Sequence, residues 1–135
     1  MNPILRNILA VLAGLVGGSV INSLLVQAGH SLVPLPEGFD WSDIESAREL
    51  LKQAGWKEMA FPWLAHAMGT LSGAFICAKL AASYALRLSL IIGGVFLAGG
   101  MYMISVYSGP TWFIYADLLL AYIPMAYLGF RLSGK

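Results

Sequence analysis

The 135-residue chain has the length of one domain, but 59% of its residues are hydrophobic and only 11% are charged. Soluble domains carry roughly 25% charged residues, so the composition excludes an ordinary water-soluble fold. The net charge of +1 leaves no basic cluster that could neutralise phosphates, and nucleic acid is therefore not expected as a partner. A single cysteine, Cys77, excludes an internal disulfide and a multi-cysteine metal centre.

Long uncharged stretches predict an all-α integral membrane protein, a single domain over residues 1–135 with a bundle of four transmembrane helices. No charged residue occurs at positions 7–36, 59–78 or 88–116, and a bilayer core requires about 20 mostly apolar residues per helix. A Ser-Gly-Pro turn divides the last apolar run in two. The predicted spans are residues 4–28, 61–82, 86–107 and 111–130.

The distribution of charge predicts that both termini face the cytoplasm and that the protein lies in the cell inner membrane. Five bases, with no acid among them, flank the span ends on one side, and a positive excess marks the cytoplasmic side. The opposite loop, residues 29–60, holds six of the seven acids and has a net charge of −3. All four tryptophans lie on that exterior side, where their rings suit the headgroup region. The flanking bases are Arg6, Lys79, Arg87, Arg131 and Lys135.

A cleavable signal peptide is the alternative interpretation of the first apolar segment. Arg6 precedes this segment and the small-residue sequence Val26-Gln27-Ala28 ends it. The segment is longer than the core of about 7–15 residues in a typical signal peptide, so we expect the first helix to be retained.

A short amphipathic helix is predicted at residues 42–55 of the exterior loop. Ser42 followed three positions later by Glu45 is a capping-box pattern, and apolar residues then recur at helical spacing until a glycine. This helix could lie on the outer membrane surface, anchored by tryptophans at its ends. It could also cover the outer mouth of the bundle as a lid, and the two arrangements are compatible.

Small residues recur every four positions on the first two predicted spans. Such stripes let transmembrane helices approach closely, so we expect these two spans to pack tightly, either on each other or across an interface between copies of the chain. The stripes are Ala10, Gly14 and Gly18, leading to Asn22, and Ala65, Gly69, Gly73, Cys77 and Ala81.

One polar layer in the outer half of the bilayer is the predicted ligand or proton site. Asp117 is the only acid within a span, where a charge costs about 2.5–3.5 kcal/mol on insertion scales. His66, Asn22 and Tyr102 fall at similar depths on the other three spans, counting 1.5 Å per residue. Asp117 beside His66 could form an ion pair or a proton relay, because histidine in general changes charge near neutral pH. The alternative is that these four residues only fix helix register through hydrogen bonds.

Pro124 lies in the middle of the fourth predicted span, where it removes one backbone hydrogen bond. We expect a kink there, which either opens a small cavity beside Asp117 or only improves packing. Tyr115, Tyr122 and Tyr127 on the same span are expected to face lipid or the core rather than a ligand.

No residue spacing typical of a metal site or a soluble enzyme occurs, so the sequence indicates no catalytic residue, no metal site and no identifiable cofactor. P-loop, nucleophile-elbow and HExxH patterns are absent. The weak candidate ligands for a divalent metal ion are His30, His66, Glu37, Glu58 and Asp117.

Three functional hypotheses follow from these features. We expect a small non-enzymatic inner-membrane protein whose polar layer binds or conducts a small ligand, ion or proton, with the lipid bilayer and either further copies of itself or a membrane subunit as partners. The first alternative is an accessory or assembly subunit of a larger membrane complex, with the small-residue stripes as partner surfaces and the exterior helix as a docking element. The second is a membrane enzyme acting on a lipid or quinone, with Asp117 and His66 as acid and base.

Overall fold

The computed structural model describes residues 1–135 and is entirely helical, without strands. Its helices are α1 (Pro3–Leu32), α2 (Ile44–Lys52), α3 (Trp56–Leu80), α4 (Ala85–Tyr107), α5 (Thr111–Leu120) and α6 (Ile123–Leu132). Three segments are long and apolar enough to cross a membrane, namely α1, α4 and the combined segment Thr111–Leu132. The prediction of an all-α protein with helices suited to a membrane is confirmed.

α3 is the central helix of the bundle and differs from the three apolar segments in composition. It packs against α1, α4, α5 and α6, and nine of its residues are buried. Its histidine, proline, glycine, serine and threonine residues make it more polar than the others. Small and polar residues suit a helix that contacts other helices on most sides.

α1 and α3 approach each other at a crossing made of four glycines. A Cβ on Gly14 would lie 2.6 Å from the carbonyl oxygen of Gly73, and a Cβ on Gly73 would lie 2.7 Å from that of Gly14. Gly18 and Gly69 oppose each other one turn further along, where the equivalent distances are 2.6 and 2.9 Å. The backbones leave no room for a side chain, so the two small-residue stripes pack on each other within the chain.

Both chain ends lie at the same end of the bundle, opposite α2. Arg6 Nε donates to the carbonyl of Leu80 at 2.8 Å, and Lys135 Nζ donates to the carbonyl of Ala81 at 3.4 Å. These carbonyls close the C-terminus of α3, where they have no partner within the helix and where positive charge is favourable.

α1 and α3 both extend beyond their predicted spans towards the end of the bundle that carries α2. α1 continues to Leu32 and α3 begins at Trp56. The early start of α3 has a local cause, because Glu58 Oε2 accepts the N–H of Gly55 at 2.9 Å in a capping-box arrangement.

α2 is shorter than predicted, and its N-terminal cap is Asp43 rather than Ser42. The N–H of Ser42 donates to the Asp40 carboxylate at 2.8 Å, and the N–H of Ser46 donates to the Asp43 carboxylate at 3.1 Å. The capping box predicted from Ser42 and its partner three positions later was therefore wrong, because Ser42 belongs to the turn before the helix. The hydrogen bonds from Ser42 also hold the pKa of Asp40 below its ordinary value.

Residues 35–54, called the cover below, lie across one end of the bundle. Arg48 donates to the carbonyl of Val106 through Nε at 3.1 Å and through a terminal nitrogen at 2.7 Å. The Tyr107 hydroxyl donates to the carbonyl of Trp41 at 3.1 Å, and the two rings meet edge to face at 5.0 Å. α2 is therefore held as a lid on the end of α4.

The fourth predicted span is interrupted between α5 and α6. Pro124 has no N–H to donate to the carbonyl of Leu120, and the backbone of Tyr122 departs from helical geometry, with φ −116° and ψ −80°. The kink expected at Pro124 is therefore a break two residues before it, and the break leaves Tyr122 buried.

Replacing Gly73 by alanine is expected to lower the free energy of unfolding by about 1–3 kcal/mol, because the added methyl would meet the carbonyl of Gly14. Gly94→Ala in α4 is the matched control, since nothing lies within 4 Å of its Cβ position. Thermal unfolding in detergent compares the two variants. Equal melting temperatures would contradict the glycine crossing.

Candidate functional site

Three polar side chains from different parts of the chain meet inside the bundle. His66 lies on α3, Asp117 on α5, and Tyr122 at the break between α5 and α6. His66 Nδ1 is 2.7 Å from Asp117 Oδ1, and the Tyr122 hydroxyl donates to Asp117 Oδ2 at 2.8 Å. The same hydroxyl lies 3.1 Å from His66 Nδ1. These three residues are called the polar triad below.

Asp117 is fully buried, and both of its carboxylate oxygens have hydrogen-bond partners. A buried carboxylate is tolerated only when it is paired in this way. An ionised carboxylate can only accept hydrogen bonds, so the ring hydrogen of a neutral His66 lies on Nδ1, the atom that faces Asp117. The other ring nitrogen, Nε2, is then an acceptor.

His66 presents this second nitrogen away from the carboxylate. The His66 side chain is 27% exposed, whereas none of the Asp117 side chain is. Nε2 makes no hydrogen bond within the protein. Only one buried side-chain nitrogen or oxygen atom lacks a hydrogen-bond partner, and that atom is Asn22 Oδ1, so Nε2 is not fully buried. Nε2 is therefore accessible from the space beside the triad.

His66 lines two cavities there. A small one of about 190 Å³ also reaches Thr70 and Tyr122, and a larger one of about 400 Å³ lies between α1, α3, α4 and α5, beneath the cover. Its volume lies in the range of roughly 300–1,000 Å³ that is usual for small-molecule sites. The cover contributes Leu50, Leu51 and Ala54 to its wall, which is mainly apolar. The polar or charged side chains on the wall include Asn22, His30, Glu58, His66, Ser108 and Asp117.

Asn22 reaches the same cavity from α1 but does not bond to the triad. Its Oδ1 atom is buried without a hydrogen-bond partner, which costs about 1–3 kcal/mol for a polar group removed from water. The glycine crossing fixes its place, because a Cβ on Gly69 would lie 2.9 Å from the Cβ of Asn22. Asn22 thus adds an unused acceptor next to the triad.

Tyr102 was expected in this layer, but the structure does not bring it to the triad. It is 67% exposed on the surface of α4, and its backbone carbonyl accepts from the Ser105 hydroxyl at 2.6 Å. Counting residues along a helix gives the depth of Tyr102 but not the direction in which its side chain points.

Tyr122 takes the place that the sequence assigned to Tyr102. On an unbroken helix, residues five positions apart point about 140° away from each other, so Tyr122 reaches Asp117 only because the helix is interrupted. Gly100 on α4 provides the room, because a Cβ there would collide with the Tyr122 hydroxyl. The signals available in the sequence were the proline that follows Tyr122 and the glycine pair on α4.

The candidate metal ligands are only partly brought together. His30, Glu58, His66 and Asp117 line the cavity, whereas Glu37 does not. No group of three or more histidine, cysteine, aspartate or glutamate side chains lies close enough to hold one metal ion.

Comparison of the chain with protein-family models, with curated proteins and with solved structures finds no match. Any assignment of function therefore depends on the geometry of the site.

Tyr122→Phe is expected to lower the free energy of unfolding by about 1.5–3 kcal/mol, because it removes a hydrogen bond to the buried Asp117 carboxylate. Tyr102→Phe removes the same hydroxyl from an exposed position and should leave stability unchanged. Thermal unfolding of both variants in detergent makes the comparison. A loss with Tyr102→Phe as large as that with Tyr122→Phe would contradict the structural assignment of the triad.

Proposed function

We propose that this chain is a four-span inner-membrane protein that binds a small, largely apolar molecule in the cavity beneath the cover, without catalysing a reaction on it. The observation that carries the proposal is the cavity itself, whose mainly apolar wall includes the partly exposed side chain of His66 together with those of Asn22 and Glu58. An apolar pocket with a few convergent polar groups is the usual form of a small-molecule site.

The proposed topology adds α3 to the three apolar segments and places both termini in the cytoplasm. With 25 residues, α3 is about 37 Å long, which exceeds a hydrocarbon core of about 30 Å. The bases at the end that holds both termini support the cytoplasmic assignment, as do the acids of the opposite loop. The cavity and its cover then lie on the exterior side.

Binding is favoured over conduction because the other half of the bundle offers no polar path. Its buried core is a cluster of small and apolar side chains, namely Ala10, Ala74, Cys77, Ala81, Ile92 and Ala126. The buried Thr70 and Ser89 hydroxyls donate to backbone carbonyls at 2.8 and 3.1 Å. Beyond the triad the buried polar side chains are only Thr70, Ser89 and Ser133, and each hydroxyl already donates to a backbone carbonyl.

A membrane enzyme is the second candidate, and the contact between Asp117 and His66 favours it. A carboxylate on Nδ1 holds the imidazole in the orientation in which Nε2 acts as a base. However, no hydroxyl or thiol of the protein is hydrogen-bonded to Nε2, so the protein itself supplies no nucleophile. A base of this kind would act only on a proton of the bound molecule.

The accessory-subunit hypothesis loses one of the two surfaces on which it was based. It assigned both the small-residue stripes of α1 and α3 and the exterior helix to contacts with a partner. The stripes are covered by each other, and the hypothesis keeps α2 as its docking element. The remaining exposed faces of the apolar helices, such as the row Leu12, Val16, Val20 and Leu24 on α1, suit contact with the bilayer.

Ile104→Trp is expected to abolish binding, because Ile104 lines the cavity and the larger ring would fill it. The probes are phenylbutylamine, phenylbutanol and phenylbutyrate, which share an apolar body, and binding is measured as the rise in unfolding temperature of the purified protein. Ile91→Trp is the control, since Ile91 is exposed on the same helix and binding should persist. If no probe stabilises the wild type more than Ile104→Trp, the cavity is not a binding site.

The topology predicts opposite labelling of two single-cysteine variants, each made in a Cys77→Ser background. A membrane-impermeant maleimide applied to intact spheroplasts should label Glu37→Cys at once, and Lys135→Cys only after lysis. The reverse pattern would show the opposite orientation, and labelling of both positions before lysis would show that the termini lie on the side of the cover.

A further inference from the structure

The chemistry of the cavity wall identifies the kind of molecule that it would hold. We propose that the ligand is a small organic cation, an alkylammonium or arylalkylammonium with an apolar body. This inference rests on the proposed function, since it names the ligand class of the same cavity.

The cavity wall carries negative charge without fixed positive charge. Two carboxylates, Glu58 and Asp117, line it, and no lysine or arginine does. Asp117 is shared between the other two members of the triad, whereas Glu58 makes no ion pair. Oε2 of Glu58 accepts a hydrogen bond from the Gly55 N–H. The other oxygen, Oε1, has no hydrogen-bond partner and is not fully buried. Glu58 therefore offers a charged, accessible acceptor at the cavity.

The polar atoms that remain unused and accessible include two acceptors. They are Oε1 of Glu58 and, in the neutral imidazole whose hydrogen lies on Nδ1, Nε2 of His66; neither has a donor within the protein. The tyrosine hydroxyls near the cavity are unavailable as donors, because Tyr107 and Tyr122 already donate to other groups of the chain. An ammonium group, which only donates hydrogen bonds, matches this set.

Aromatic rings complete the wall and suit a cation with an apolar body. Phe39 and Trp41 meet edge to face at 4.7 Å, and Trp41 meets Tyr107 in the same manner at 5.0 Å. All three rings and Phe113 line the cavity. Perpendicular rings present their negative faces in different directions, and such faces attract cations, most strongly when water is excluded.

An inorganic divalent cation fits this wall less well than an organic one. Hard cations require about six oxygen ligands at short distance, and no three acidic, histidine or cysteine side chains converge here. The mainly apolar lining would leave such an ion without a coordination shell, whereas it would bury the body of an organic ammonium ion.

The test is the ratio of the affinities for phenylbutylamine and phenylbutanol, measured on wild type, Glu58→Gln and Glu37→Gln in the same detergent. A ratio cancels the partitioning of each compound into micelles. Wild type is expected to prefer the amine, and Glu58→Gln should lower the ratio by about tenfold, as expected for loss of a charge-assisted hydrogen bond. Glutamine can still accept from Gly55 and so preserves the start of α3.

Glu37→Gln is the matched control, because it removes the same charge from the same end of the bundle at a position that does not line the cavity. Its ratio should equal that of wild type. An equal fall in both variants would show that surface charge, not the cavity, attracts the amine, and would overturn the inference.

The two proposals fail in distinguishable ways. If amine and alcohol bind wild type equally and Ile104→Trp abolishes both, the cavity binds small molecules but does not select cations, so only the inference is overturned. If phenylbutyrate binds more tightly than the amine, the charge assignment is wrong. If no compound binds in the cavity, the proposed function and the inference fall together.

Discussion

A carboxylate buried among apolar helices must be paired, and the pairing of Asp117 organises the rest of the site. His66 supplies one partner from the central helix, and Tyr122 supplies the other from the break in the last helix. Each partner has its own structural requirement, because the break must occur close to Tyr122 and α4 must carry a glycine opposite its hydroxyl. The pairing of this one carboxylate thus depends on a helix interruption and on a space between two helices.

The glycine crossing of α1 and α3 is the second constraint, and it limits where a cavity can exist. The backbones touch through Gly14, Gly18, Gly69 and Gly73, which closes the half of the bundle nearest the termini. Beyond Gly69 the helices extend to the cover, and the space between them is lined by Asn22, His66 and the aromatic rings. Close packing at one end therefore leaves the larger cavity at the other end, beneath the cover.

The cover and the bundle contribute differently to this site. The bundle supplies the triad on packed helices, where hydrogen bonds hold each side chain in place. The cover supplies Leu50, Leu51 and two aromatic rings to the wall, but its helix α2 buries only Ala47. The hydrogen bonds that join the cover to α4 come from the Arg48 side chain and the Trp41 carbonyl. Segments with so few buried contacts open more readily than a core, so the cover is the part through which a ligand would enter.

The sequence by itself determined the all-helical class, the apolar segments, the glycine stripes and the similar depth of Asp117 and His66, because these follow from residue types and their spacing along each helix. Tertiary structure decided the rest. Tyr102 and Tyr122 have the same chemistry, yet only Tyr122 reaches Asp117, since the direction of a side chain around its helix depends on packing and on where the helix breaks. The cap of α2 moved to Asp43 because Ser42 bonds within the preceding turn. The cavity arises only where the cover meets the bundle, and no local pattern encodes that contact.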